Sequence, residues 1–187
     1  MISKLRKNDF VKSVSILLSG TIISQLLNYL FVPILSRIYE VEEMADLSLF
    51  FRITGFIIGI GTARLEYTLP LPKREAHSFL LYRISLRISM IVLLCGSLVG
   101  TLWLLVKPFN WYNFLFVLLV VIGSFFSIII NLGVNWSIRN NTFKLISRSR
   151  ILNAFIANML KLGFAYLKLG SLGLILGTTL AYIGSSL

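Results

Sequence analysis

The sequence predicts an all-α fold: a polytopic membrane protein whose six transmembrane helices form one bundle. Three observations carry that expectation. The 187 residues are 57% hydrophobic, with a mean hydropathy of +0.87. A soluble fold of this length cannot hide so much apolar surface, because small folds keep a large surface fraction. Six stretches reach or approach the roughly 20 apolar residues that cross a hydrocarbon core about 30 Å thick. The Lys and Arg residues alternate between crowded and sparse segments along those stretches.

The expected spans are 14–35, 45–62, 86–106, 111–136, 151–167 and 172–187. The first is too long for a signal-peptide core and has no small-residue cleavage pattern after it, so it is read as retained. Thr21, Ser24, Gln25 and Asn28 recur along it at helical spacing. Pro33 is expected to bend or end it. Glu40, Glu42, Glu43 and Asp46 then form the first outer loop. In the second span Ser48, Arg52, Gly55, Gly59 and Thr62 share a face. Arg64 and Glu66 follow at once, to pair with each other or with a neighbouring helix, and Pro70 and Pro72 interrupt the helix. The next helix is expected to start near Glu75, with Arg83 and Arg87 one turn apart on an amphipathic inner stretch that meets the headgroups.

The fourth span carries Ser124, Ser127, Asn131 and Asn135 on one face, and the fifth carries Ala154, Asn158, Lys161 and Ala165. Lys168, Gly170 and Ser171 make a tight outer turn. The sixth span has a small-residue stripe of Gly170, Gly173, Gly177, Ala181 and Gly184, which suits close helix packing. It is still apolar at Leu187, so the expectation is the N-terminal half of a longer two-bundle transporter, the alternative being a natural six-span chain.

Three cation clusters set the orientation: Lys4, Arg6, Lys7 and Lys12; Arg64, Lys73, Arg74, Arg83 and Arg87; and Arg139, Lys144, Arg148 and Arg150. Only Arg37, Lys107 and Lys168 lie between them outside the apolar cores. Cytoplasmic loops are the Lys- and Arg-rich ones, which places both termini in the cytoplasm of a multi-pass plasma (inner) membrane protein. In a soluble chain a net charge of +11 would point to nucleic acid. Here the cations flank spans and meet membrane lipids, so no nucleic-acid partner is expected. Cys95 is the only cysteine, which excludes an internal disulfide and two-cysteine metal motifs.

Polar side chains within lipid must face protein or a watery cavity. Small residues and amides also serve helix packing, and that explanation covers the sixth span, Gly55 and Gly59, and competes for Asn131 and Gln25. It fits Arg52 and Lys161 less well, since a mid-helix charge costs about 2.5–3.5 kcal/mol on insertion scales. Snorkelling to an interface is the other account of these two. Arg52, Lys161, Gln25, Asn28, Asn131 and Asn158 are therefore the candidate cavity residues, with Arg52 favoured as a phosphate contact because a guanidinium forks onto two oxygens. Enzyme chemistry is not expected. His77 is the only histidine, no metal or cofactor motif is present, and the acids do not pair across a pocket.

Two stretches carry a family resemblance. Leu35-Ser36-Arg37-Ile38-Tyr39, followed by Arg64-Leu65-Glu66-Tyr67 and Leu69-Pro70-Leu71-Pro72, resembles a signature near the start of bacterial polysaccharide-transport flippases. Phe143-Lys144 with Ser149-Arg150 is similar to an inner loop of the same family, in the multidrug/oligosaccharidyl-lipid/polysaccharide exporter superfamily. The resemblance singles out Arg37, Tyr39, Arg64, Glu66, Pro72, Lys144 and Arg150. This chain departs from it in having Leu65 where an Arg-Tyr-Glu triplet is usual. The resemblance implies a flippase for undecaprenyl-pyrophosphate-linked oligosaccharide in O-antigen, capsule or exopolysaccharide (lipopolysaccharide-type) biosynthesis. It further implies a second bundle, supplied by a C-terminal continuation or a second copy, and a glycan polymerase acting afterwards. The alternatives are half of a multidrug exporter, or a non-transporting scaffold in glycan assembly.

Overall fold

The computed structural model describes residues 2–72, 74–106 and 110–186, with side chains from Ser13 onward. Lys73 and Lys107, and the side chains of Lys4, Arg6, Lys7 and Lys12, all used in the charge pattern, lie outside the described residues, as does Leu187. The described chain is helical throughout: α1 Ile2–Ile38, α2 Val41–Gly61, a 3-10 turn Leu65–Thr68, α3 Glu75–Val106, α4 Trp111–Arg139, α5 Phe143–Tyr166 and α6 Gly170–Ser186. Four segments are long and apolar enough to cross a membrane: Ser13–Ile38, Val41–Gly61, Glu75–Val106 and Trp111–Arg139. This is a membrane protein. By the same measure α5 and α6 do not qualify. The 24 residues of α5 include Lys144, Arg148, Arg150 and Lys161, and α6 has 17 described residues.

Three boundaries differ from expectation. Pro33 neither ends nor breaks α1, which runs on to Ile38. So near a helix end, proline removes one late hydrogen bond and leaves the rest intact. The expected outer loop shrinks to a short turn, because Glu42, Glu43 and Asp46 belong to α2. Glu40 and Glu43 close a reciprocal capping box there, and acids at a helix N-terminus are favoured by its dipole. The expected inner loop before residue 151 is instead the opening of α5. Asn141 takes a left-handed φ of 56°, the chain turns at once, and Lys144, Arg148 and Arg150 become helical.

Packing divides the bundle. α1 lies along α5, α5 along α6, and α6 along α4 and α2, while α2, α3 and α4 pack among themselves. α1 and α2 are adjacent in sequence but do not form a packed pair, which leaves a cleft between them. α6 is the central helix, with Gly173, Leu174, Ile175, Gly177, Thr178, Thr179 and Ala181 buried. Its small residues pack as expected. A Cβ on Gly177 would lie 3.0 Å from the Lys161 nitrogen, so glycine lets α6 press onto the α5 backbone. The main apolar cluster gathers Leu35, Tyr39, Leu47, Phe50, Phe116, Leu119, Val120, Leu174 and Ile175. A second holds Leu69, Leu93, Ile128 and Leu132.

Candidate functional site: a polar crevice between α1, α4, α5 and α6

A crevice of about 360 Å³ opens in the cleft between α1 and α2. α1 contributes Ser24 and Asn28, α2 Phe51, and α4 Ser127, Asn131 and Val134; α5 contributes Arg150, Asn153 and Lys161, and α6 Thr178 and Tyr182. Polar side chains gather in this lining, among apolar ones, in a molecule whose exterior carries many large hydrophobic side chains. A larger groove of about 710 Å³ lies between the start of α5 and Ser13 and Ile16 of α1. Its cations, Lys144 and Arg148, are exposed, as on any interfacial basic surface. The smaller crevice is the better candidate because its charge is buried.

Lys161 is 8% exposed. Its ammonium sits 5.8 Å from the centroid of the Phe51 ring, a cation–π contact. No carboxylate acts on it among the described residues. Its backbone is fixed from two sides. Tyr39 Oη donates to the Lys161 carbonyl at 2.7 Å, and Gly177 presses on its nitrogen. Tyr39, singled out by the resemblance, lies just beyond α1. Burial, with the Glu43 charge adding to it, raises its phenol pKa, so the hydroxyl keeps the proton that it donates.

Below Lys161 hydrogen bonds tie α5 to α1 and to α6. Asn158 Nδ2 donates to Asn28 Oδ1 at 2.9 Å and to the Ala154 carbonyl at 2.8 Å. Arg150 Nη1 donates to Thr21 Oγ1 at 2.6 Å. Asn153 Nδ2 donates to Ser185 Oγ at 2.7 Å. Arg150 and Lys161 are eleven residues apart, which on an α-helix is about 16 Å of rise and just over three turns. Both cations therefore lie on one stripe of α5.

Of the candidates, Asn28, Asn131, Asn158 and Lys161 come together here. Asn28, Asn131 and Lys161 line the crevice, and Asn158 stands behind them, 3% exposed. Arg52 and Gln25 are not drawn in; both are exposed on the outside of the bundle. The reason is angular. Arg52 follows Phe51, and one residue turns a helix by about 100°, so Phe51 lines the crevice while Arg52 is turned away from it. Gly55 and Gly59 share that outer face, and a Cβ on either would meet nothing within 4 Å. They are not packing residues within this chain.

The residues singled out by the resemblance lie in separate places. Arg37 is exposed in the last turn of α1, where a cation suits the helix dipole. Arg64 is exposed while Glu66 is buried, so the two do not pair. Pro72 offers its carbonyl to Arg139 Nη1 at 2.7 Å. Lys144 borders the large groove, and Arg150 belongs to the crevice. Sequence reasoning did not place Arg150, Asn153, Thr178 or Tyr182 in the cavity. Extending the Ala154, Asn158 and Lys161 stripe back by one turn reaches Arg150, but a span begun at residue 151 cut that signal off. Of the acids expected in the outer loop, Asp46 is a tie between helices. Asp46 Oδ2 accepts from Tyr112 Oη and from Ser171 Oγ at 2.7 Å, joining α2 to α4 and α6. No family model, curated protein or solved structure matches the chain.

Proposed function

We propose that the chain is one six-span bundle of a flippase that moves undecaprenyl-pyrophosphate-linked oligosaccharide units across the plasma (inner) membrane for polysaccharide biosynthesis. In this reading α5 and α6 also cross the bilayer, both termini are cytoplasmic, and the chain is of the polysaccharide-transport flippase type. The observation that carries it is Lys161, a buried cation with no acid on it, facing an amide- and hydroxyl-lined crevice. Intramembrane charges are expensive and usually serve function. An anionic headgroup with a hydrophilic glycan gains from a cation and hydrogen-bonding groups that replace its water. Arg150 and Lys161, about 16 Å apart by helical rise, are successive stations for such an anion. A multidrug exporter for cations would need an acid in the crevice, and no Asp or Glu lines it.

The crevice mouth and the exposed face bearing Ser48, Arg52, Gly55 and Gly59 are the side on which a second bundle fits, from a continuation of the chain or a second copy. Arg52 then faces that second bundle. A glycan polymerase receives the translocated unit. The test is complementation of a flippase-null strain. Met1–Leu187 held monomeric is expected to restore no surface polysaccharide, and the two-bundle form is expected to restore it. Restoration by a monomer contradicts the two-bundle arrangement. Failure of every two-bundle form contradicts the flippase reading.

A further inference from the structure

A second cavity of about 330 Å³ lies against the crevice, between α3, α4, α5 and α6. Ile130, Val134 and Ser149 line both spaces, so the two share a wall. The polar side chains of this lobe are Tyr82, Ser137, Ser149, Ser185 and Ser186. No Lys, Arg, His, Asp or Glu lines it. The crevice, in contrast, carries Arg150 and Lys161. A neutral, hydroxyl-bearing space therefore stands beside a charged one.

Hydrogen bonds and ring packing hold the walls of the lobe. The Tyr82 ring meets Trp136 edge-on, with centroids 6.0 Å apart. Ser149 Oγ donates to the Ser185 carbonyl at 3.4 Å. Ser185 Oγ accepts from Asn153 Nδ2, a crevice residue, at 2.7 Å. Ser186 Oγ donates to the Ile183 carbonyl at 2.8 Å. A hydroxyl has one proton and two lone pairs, so each of these serines keeps an acceptor position for a ligand. The Tyr82 and Ser137 hydroxyls make no hydrogen bond among the described residues. Gly133 of α4 also lines the lobe, and a Cβ there would meet nothing within 4 Å.

We propose that this lobe holds a sugar ring of the lipid-linked glycan while the pyrophosphate lies in the crevice at Arg150. The proposal rests on the flippase reading and adds to it the place of the saccharide. Sugar hydroxyls donate and accept, as Ser and Tyr hydroxyls do, and the C–H side of a sugar ring suits aromatic and aliphatic surface, here Tyr82 and Ile129. An anion finds no cation in the lobe. An apolar chain there would strip water from the hydroxyls without replacing it. Ser149 directly precedes Arg150 on α5, so a phosphate on Arg150 brings the sugar bonded to it to the edge of the lobe. The volume falls within the roughly 300–1,000 Å³ of small-ligand sites.

The experiment measures binding of two radiolabelled lipids to the purified chain in detergent. One is bare undecaprenyl pyrophosphate, and the other is the same lipid carrying its oligosaccharide. The expected result is that the glycan-bearing lipid binds about tenfold more tightly, the effect of one or two net hydrogen bonds. Gly133→Leu, which fills the lobe, should remove the difference between the two lipids. Ser137→Ala should reduce it, and Lys161→Ala should weaken both lipids alike. Equal affinity of the unaltered chain for the two lipids overturns the sugar site, and so does a preference that survives Gly133→Leu. Binding of neither lipid contradicts the flippase reading itself, and the sugar site with it. Should Gly133→Leu not fold, Ser137→Ala and Tyr82→Phe decide: undiminished preference in both overturns the site.

Discussion

Under the flippase reading proposed above, replacing Lys161 with Ala or Met in the two-bundle form is expected to abolish delivery of repeat units while leaving the protein inserted and folded. The physical reasons point in opposite directions for stability and for function. Removing a charge from a membrane helix removes an insertion cost of about 2.5–3.5 kcal/mol. The lost ammonium has no acid partner to orphan, so nothing buried is left uncompensated. A charge-assisted hydrogen bond to an anionic headgroup contributes about 1.5–3 kcal/mol, and its loss corresponds to roughly tenfold to more than a hundredfold weaker engagement. Lys161→Arg should keep part of the activity, since charge is retained while the geometry against Phe51 changes. Surface polysaccharide measured at equal protein level checks this, and normal polysaccharide in Lys161→Ala would reduce Lys161 to a packing residue.

The second large effect is on assembly. Gly20→Val is expected to lift α1 off α5. A Cβ at Gly20 would fall within the Ser147 side chain and lie 2.7 Å from the Ser147 Cα. The obstruction includes backbone, which cannot rotate away. Overpacking a close contact costs about 1–3 kcal/mol, and the upper end applies where a helix axis must move. The Asn28–Asn158 and Thr21–Arg150 bonds cross the same α1–α5 seam, so the crevice should open with it. Thermal unfolding in detergent reads the loss. Gly55→Val is the control, since its Cβ would meet open space.

Much of this arrangement is written in helical spacing. The Asn158–Lys161 stripe, Asn28 and Asn131 follow from asking which polar residues share a face within an apolar helix. Spacing does not say which of two polar faces turns inward. On α2 the small and charged face of Ser48, Arg52, Gly55 and Gly59 points out, while the apolar neighbour Phe51 enters the crevice. That choice is made by packing of Leu47, Phe50 and Thr54 against α4 and α6, which no single helix encodes. Arg150 was hidden for a different reason. Cations just before an apolar stretch read as an inner loop, yet one left-handed residue at Asn141 starts α5 early and carries Arg150 into the bundle. The signature residue Tyr39 was legible as unusual, but its bond to the Lys161 carbonyl spans 122 positions and appears only in the fold.

The central claim is that the crevice receives the anionic headgroup of a lipid-linked glycan. Photocrosslinking from the crevice wall tests it most directly. A benzophenone amino acid replacing Val134, which lines the crevice, is irradiated in membranes that contain undecaprenyl-pyrophosphate-linked oligosaccharide radiolabelled in its sugars. The account predicts a labelled adduct at position 134 that is lost with Lys161→Ala, and none from the same probe replacing Leu94, exposed on α3. An adduct of equal yield in Lys161→Ala, or no adduct at position 134, would contradict it.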